Sequence, residues 1–486
     1  MSFLSSSQQQ AISALLQASP FAAVARELGE RFADAGHQLY LVGGTVRDAL
    51  LERRSPDVDF TTDATPDRIL AIVRGWSDHV WLQGLRFGTV GASKSNLRLE
   101  ITTFRSDVYR EDSRKPEVSF GRTIEDDLAR RDFTVNAMAV RLPDGRFVDP
   151  WGGLADLARR RLRTPSSPAV SFEDDPLRML RAARFVAELE LVPTPDTVAA
   201  IHKRAGRLEI VSRERVRDEL TKLLLGRAPG KGLWLVVRTG LADQFLPELP
   251  ALALEQDPVH RHKDVLAHTI AVVDRATAFD ADRPDLVLRL AALLHDIGKP
   301  PTRRVGPDGV SFHLHEVVGA KLAERRLVEL RYSSDIVQAV SRLVLLHLRF
   351  HTYRLGWSDS AVRRYVRDAG ELLDQLNFLV RSDCTTRNPA KARQLAAAAD
   401  ELEGRLARLQ AEEELARIKP PLNGEEVMAI LGVRPGPVVG RALAHLLELR
   451  LDRGPVSRQE ATEELLRWAR DQGLDMTGAG AGEAGG

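Results

Sequence analysis

The chain has 486 residues, with 69 basic and 68 acidic side chains and a net charge of +1. A hydrophobic content of 43% beside 28% charged residues excludes a disordered or fibrous chain, and no apolar run approaches the ~20 residues that cross a bilayer. One cysteine excludes a disulfide framework and a cysteine-built zinc site, and the opening MSFLSSSQQQ lacks the basic and apolar regions of a secretory signal, so the expectation is a cytosolic protein without membrane contact.

At about 100–200 residues per domain the length predicts roughly three or four domains. Residues 1–10 and 476–486 read as disordered tails by composition. Residues 20–150 mix short apolar runs (Leu39–Val42, Val58–Phe60, Leu97–Phe104, Phe133–Val140) with Gly and Asp, the pattern of strands in an α/β domain. Residues 151–250 turn helical from Asp174 to Leu246 and predict a helical neck and body, followed by a Pro-rich, acidic linker at Leu246–Pro258. Residues 258–388 form a helical stretch rich in histidine. Residues 389–475 open with one long charged helix, Pro389–Lys419, stopped by Pro420–Pro421, and continue with helices over Asn423–Gln472. The expected fold class is α+β, mostly α, with the strands confined to the N-terminal domain.

Chemistry concentrates first at Tyr40–Leu51, which reads as strand, glycine turn and helix start. Gly43 and Gly44 let the backbone approach a ligand closely, and the helix start offers free N–H groups to an anion. Arg47 opposes the helix dipole there, a poor choice for stability and a good one for gripping phosphate. Thirteen residues beyond Gly44 stand Asp57 and Asp59, which share one face of a strand. Paired carboxylates repel unless a cation lies between them, and hard oxygen ligands suit Mg²⁺. Glu100, on a plausible neighbouring strand, either supplies a third carboxylate or is an ordinary exposed strand residue.

Gly43-Gly44-x-x-Arg47-Asp48 followed by Asp57-x-Asp59 resembles the signature of the DNA polymerase beta-like nucleotidyltransferases. Four further stretches resemble motifs of the class II tRNA branch, which holds CCA-adding enzymes and bacterial poly(A) polymerases: Asp127–Asn136, the hinge-like Asp149–Leu157, Asp174–Phe185 and Glu214–Glu219. The likeness, to the HD-containing actinobacterial type, runs in family order from Leu41 to about Leu225. It implies a palm-like N-terminal domain in which Asp57 and Asp59 hold Mg²⁺ on a nucleotide triphosphate. It implies that Gly44 and Arg47 contact the triphosphate, and Arg131 and Asp132 the sugar-phosphate part. Asp175 and Arg178, expected at i and i+3 on one helix, would present an acceptor-only and a donor-only group side by side. Such a pair fits the shared pairing edge of cytosine and adenine and mismatches uracil and guanine. The family usually has Glu before this Asp, where this chain has Asp174. Arg181 and Arg184 continue the spacing toward the nucleotide, Arg184 lying nearest the apolar side of the helix and so nearest a structural role.

His268, His295, Asp296 and Asp383 resemble the H…HD…D pattern of the HD metal-dependent phosphohydrolases, and His315 and His347 could complete a second metal position. Imidazole with carboxylate suits a divalent transition metal, with Mg²⁺ also possible. A degenerate HD fold retained for RNA binding is the competing reading, and His260, His262, His313 and His351 read as surface residues. Near the C-terminus, Gly432–Leu443 resembles an RNA-touching helical turn carrying Arg434 and Arg441, or else is a simple helical hairpin.

The expected function is template-independent addition of C, C and A to the tRNA 3′ end from CTP and ATP. The alternatives are a bacterial poly(A) polymerase, a partial CC- or A-adding enzyme, and, in another class, an HD phosphohydrolase acting on RNA ends or nucleotides. The near-neutral total does not oppose an RNA partner, because binding depends on where charge sits. Of the basic residues 59 are arginine, a bias a GC-rich genome produces, and Arg159–Arg161, Arg163 and Arg213–Arg217 form basic groups suited to RNA backbone. The segment Arg110–Gly121 reads as flexible and lies where nucleotide choice could be controlled.

Overall fold

A computed structural model of the chain describes residues 14, 18–53, 57–108, 117–121, 123–254, 264–280, 282–307, 309–384, 388–413 and 419–474. Both expected disordered tails, His260, His262 and residues 110–116 of the expected flexible segment lie outside the described residues. The chain divides after Pro250 into two compact units.

The first unit is built on a seven-stranded mixed sheet, β1 (Leu39–Val42), β2 (Asp57–Thr62), β3 (His79–Trp81), β4 (Thr89–Lys94), β5 (Leu97–Thr103), β8 (Ala139–Leu142) and β9 (Phe147–Val148), ordered β3-β4-β5-β2-β1-β8-β9. Every residue of β1 is buried, as a central strand covered on both faces requires. Helix α1 (Ala22–Asp34) buries Val24, Ala25, Leu28 and Phe32, and α2 (Gly44–Leu50) follows β1 directly. Strand β2 pairs antiparallel with β1 and parallel with β5. Its alternation, Asp57 exposed, Val58 buried, Asp59 half-buried and Phe60 buried, sends both aspartates to one face. Strands β6 (Arg105–Val108) and β7 (Glu117–Phe120) form a separate antiparallel pair, so the end of the segment expected to be flexible is regular strand.

The expected strand at Phe133–Val140 begins only at Ala139. Asp132 accepts hydrogen bonds from the Phe133 N–H (2.8 Å) and from Asn136 Nδ2 (2.9 Å), and this local bonding holds Thr134–Asn136 in a helical turn instead. Beyond the sheet the unit is helical, chiefly α6 (Pro168–Asp174), α7 (Leu177–Leu189), α8 (Pro195–Arg204), α9 (Arg213–Leu224) and α10 (Pro229–Arg238). The expected linker begins too early, since Leu246 and Leu249 are fully packed.

The second unit opens with α11 (Val265–Ala276) and α12 (Leu286–Leu294), followed by α14 (His315–Glu329), α15 (Ser334–Leu346), α16 (Asp359–Ala369) and α17 (Leu373–Asp383), with the one-turn α13 (Lys299–Thr302) between α12 and α14. Helix α12 is apolar nearly all round and buried from Leu288 to Leu294, and its one cation, Arg289, is satisfied by both oxygens of buried Asp280 (2.6 and 2.8 Å). The long charged helix, α18 (Pro389–Glu413), is present. Three further helices, α19 (Gly424–Leu431), α20 (Pro437–Arg453) and α21 (Arg458–Asp471), enclose a small core around Leu431, Leu446 and Leu465. Among the described residues no helix is long and apolar enough to cross a membrane.

Candidate active site and metal centre

In the first unit one cavity of about 480 Å³ is lined by Gly43, Gly44, Asp59, Glu100, Arg131, Asp132, Asp175, Arg178 and Arg181. Gly43 has φ +67°, and a Cβ there would stand 2.7 Å from Arg131 Nη1, so glycine both permits the turn and lets that guanidinium lie against it. Parallel pairing sets Asp59 against Glu100 and Asp57 against Arg98. Glu100 is therefore a true neighbour of the aspartate pair, and Arg98 reaches both Glu100 (3.5 Å) and Asp57 (3.8 Å). Burial pushes the Asp59 carboxyl up to about 6; Arg131 opposes the rise, and Glu100 and Asp57 add to it. A half-buried carboxylate raised by burial and by two like-charged neighbours belongs to a donor set that fits a hard divalent cation such as Mg²⁺.

Three sequence expectations change. Asp175 and Arg178 do not share a helix: Asp175 closes α6 in an extended conformation (φ −137°, ψ 98°), and α7 starts only at Leu177. Pro176 is the cause, because the residue before a proline is driven out of the helical region. Both side chains still line the cavity. Asp175 accepts from the Leu177 N–H (3.2 Å) and pairs with Arg215 (3.4 Å), while Arg178 is fixed by Ser171 Oγ (2.9 Å) and the Arg130 carbonyl (2.5 Å).

Arg47 is buried and does not line the cavity. It donates to Asp48 (2.9 Å) and to Asn136 Oδ1 (2.6 Å), so it braces the turn from beneath. Asn136 in turn holds Asp132, whose second oxygen takes a hydrogen bond from Arg181 Nε (2.8 Å). Arg181 and Asn136 keep the Asp132 carboxyl below the usual carboxylate range despite full burial. Arg184 points into packing: it pairs with buried Glu219 (3.1 Å) and lies over the Phe185 ring at 4.3 Å, and burial lowers its pKa. Of the basic groups expected on RNA, Arg161 and Arg163 instead pair with buried Asp156 (2.8 and 2.9 Å).

In the second unit all six HD-motif residues converge. His268 Nε2 is 2.8 Å from Asp383 Oδ1 and 3.4 Å from His295 Nε2, and His295 Nε2 is 3.3 Å from Asp296 Oδ2. His268, His295 and Asp296 form one potential metal-holding group, and Asp296, His315 and His347 form another. A backbone carbonyl only accepts, so the Nδ1 atoms of His295, His315 and His347 must donate to Ala292, Phe312 and Val344 (2.9, 2.8 and 2.6 Å). That fixes the tautomer and turns each Nε2 lone pair inward, the arrangement of metal-ligating histidines. The Nε2 atoms of His315 and His347 are buried and make no hydrogen bond within ordinary geometry; the nearest carboxylate to His315 is Asp296, at 3.5 Å. Burial, with nearby His295, holds His347 neutral at about 3. These residues fit a divalent metal. Gly298 is required here, since a Cβ would fall 2.0 Å from the His315 carbonyl and push α14 away. His351, expected to be an ordinary surface residue, sits 3.3 Å from Asp383 Oδ2. Its spacing carries no signal for that contact. Arg434 and Arg441 are exposed around the turn between α19 and α20, which the helical-hairpin reading also describes.

Residues 39–163 match the Poly A polymerase head domain, residues 192–252 the family described as "Probable RNA and SrmB- binding site of polymerase A", and residues 265–405 the HD domain. The chain is 37% identical over 444 residues to the A-adding tRNA nucleotidyltransferase of Deinococcus radiodurans, covering 89% of this chain and 95% of that one. It is 34% identical over 445 residues to the CC-adding tRNA nucleotidyltransferase of Thermus thermophilus, covering 88% and 93%. The CCA-adding enzyme of Levilactobacillus brevis is 40% identical over 226 residues, 46% of this chain and 55% of that enzyme. The crystal structure of the Bacillus stearothermophilus CCA-adding enzyme in complex with CTP superposes with a TM-score of 0.68 at 26% identity, over 94% of this chain and 99% of that chain.

Proposed function

The chain belongs to the tRNA nucleotidyltransferase family, and on that premise we propose that it builds the CCA end of tRNA, adding C, C and A from CTP and ATP with release of pyrophosphate at each step. The observation that carries the reading is that Asp59 and Glu100 line the same cavity as Asp175 and Arg178. Transfer chemistry and base selection thus share a volume suited to one nucleotide, with the selecting groups supplied by protein.

Asp57, Asp59 and Glu100 are the residues that would hold Mg²⁺, which when bound supplies charge neutralisation at the triphosphate and eases deprotonation of the RNA 3′-hydroxyl. Arg131, lying against Gly43, offers its guanidinium to the triphosphate. Asp132, held by Asn136 and Arg181, faces the sugar. Arg178, fixed by Ser171 and the Arg130 carbonyl, donates to the base edge while Asp175 accepts from its amine. Cytosine and adenine satisfy both groups; uracil and guanine set acceptor against acceptor and donor against donor.

Two observations support secondary readings. Two relatives that align over 89% and 88% of the chain are named for partial addition, A in one and CC in the other, which favours a subset of the three additions as the second reading. In the second unit, the inward-turned histidines and the two residue groups that share Asp296, which would hold divalent ions, support a metal-dependent phosphohydrolase.

The test supplies tRNA lacking its CCA, tRNA ending in CC, and an unstructured RNA, each with CTP, ATP or both. Addition confined to tRNA and ending at CCA is the expected result. Addition of A only to the CC-ended tRNA, or of CC alone, would establish the partial reading, and long A tails on unstructured RNA would refute both in favour of a poly(A) polymerase.

A further inference from the structure

Register across the sheet places Trp81 opposite Gly91, Gly91 opposite Glu100, and Glu100 opposite Asp59, one continuous row running from the edge strand to the carboxylates. The adjacent row of the same face is His79, Ser93, Arg98 and Asp57. Gly91 is what lets the Trp81 indole lie along this row, because a Cβ there would stand 1.9 Å from Trp81 Nε1. Arg98 completes the arrangement with its guanidinium carbon 5.1 Å from the centre of the indole, and its side chain is 56% exposed. A second cavity of about 490 Å³, lined by Trp81, Arg98, Gln83 and Asn96 among others, shares no residue with the nucleotide cavity.

We propose that Trp81 and Arg98 seat the terminal nucleotide of the RNA being extended, its base stacked on the indole–guanidinium pair and its 3′-hydroxyl directed to Asp59 and Glu100. This rests on the nucleotidyltransfer reading above and names how that site receives its second substrate. Phosphoryl transfer needs the attacking oxygen and the leaving pyrophosphate roughly in line. The RNA end must therefore arrive from the side of the carboxylates away from the triphosphate; the Trp81–Arg98 cavity lies over β3 to β5, on the other side of β2 in the strand order from the Gly43–Gly44 turn that follows β1. The chemistry of the platform also suits the task. The terminal base changes with each addition, and stacking on an aromatic or guanidinium plane tolerates any base. Arg98 adds a cation where the terminal phosphodiester would pass.

The experiment measures steady-state CMP incorporation into tRNA lacking its CCA, and into the same tRNA with an abasic final nucleotide. For Trp81→Ala the expected result is a rise of about tenfold in KM for tRNA, with KM for CTP unchanged, while Trp81→Phe restores tRNA affinity. The abasic end should weaken the wild-type protein by a similar factor and cause no further loss in Trp81→Ala. A wild-type KM for tRNA in Trp81→Ala, or a full abasic penalty persisting in that variant, would overturn the assignment while leaving nucleotidyl transfer standing. Failure of the wild-type protein to incorporate either CMP into this tRNA or AMP into tRNA ending in CC would overturn the transfer reading, and this one with it.

Discussion

Asp59 and Glu100 are register partners on parallel strands, so two carboxylates that lie 41 positions apart in sequence meet side by side at the rim of one cavity. Burial and these like charges push Asp59 up to about 6, meaning that the folded, metal-free protein pays in stability to keep it ionised.

The sign of that effect makes a stability prediction. Asp59 has its folded pKa above its unfolded value, so in chelator its contribution to stability is complete below about pH 4 and is lost as pH rises through about 6. Asp59→Asn removes the loss and should stabilise the metal-free protein at pH 7.5 by about 1–3 kcal/mol, read as a higher Tm in EDTA. A lower Tm would show that Asp59 is a stabilising partner instead.

In the proposed base template, Arg178 is held in place by Ser171 and the Arg130 carbonyl. Arg178→Ala should relax discrimination against UTP and GTP by roughly 10- to 100-fold, measured as ratios of kcat/KM for single additions. Ratios equal to those of the wild-type protein would remove Arg178 from the template.

Arg184, by contrast, belongs to packing. Arg184→Ala removes the nearer guanidinium from buried Glu219, leaving Arg181 at 3.9 Å, and should cost about 3 kcal/mol in urea unfolding, with nucleotide selectivity intact. A stable variant with altered selectivity would contradict this division between neighbouring arginines.

Metal content tests the second unit. Asp296 belongs to both potential metal-holding groups, whereas His347 belongs to one. Asp296→Asn should abolish binding of added Mn²⁺ or Ni²⁺, and His347→Gln should lower it by about one equivalent per chain. Equal stoichiometry in the two variants would argue against a shared carboxylate. His295→Ala should leave nucleotide addition near the wild-type rate.

The sequence made the glycine turn, the Asp57/Asp59 face and the grouping of the HD-motif residues legible, because each depends on local spacing. Glu100 was visible only as a candidate, since alternation reports the face of a strand and not its partner. The expected Asp175–Arg178 helix is broken by Pro176, a local signal that the chain itself carries. Arg47 looked like a phosphate grip because its partner Asn136 lies 89 positions away, and His351 gave no local sign of its contact with Asp383. Long-range partners, rather than residue types, were what the chain alone did not disclose.

The central claim is that the carboxylates of the first unit carry nucleotidyl transfer. Single-turnover CMP incorporation into tRNA lacking its CCA, comparing the wild-type protein with Asp59→Ala, tests it most directly. Asp59→Ala should lose about 1000-fold or more at saturating Mg²⁺ and CTP; incorporation within tenfold of the wild-type rate would show that these carboxylates do not carry the transfer.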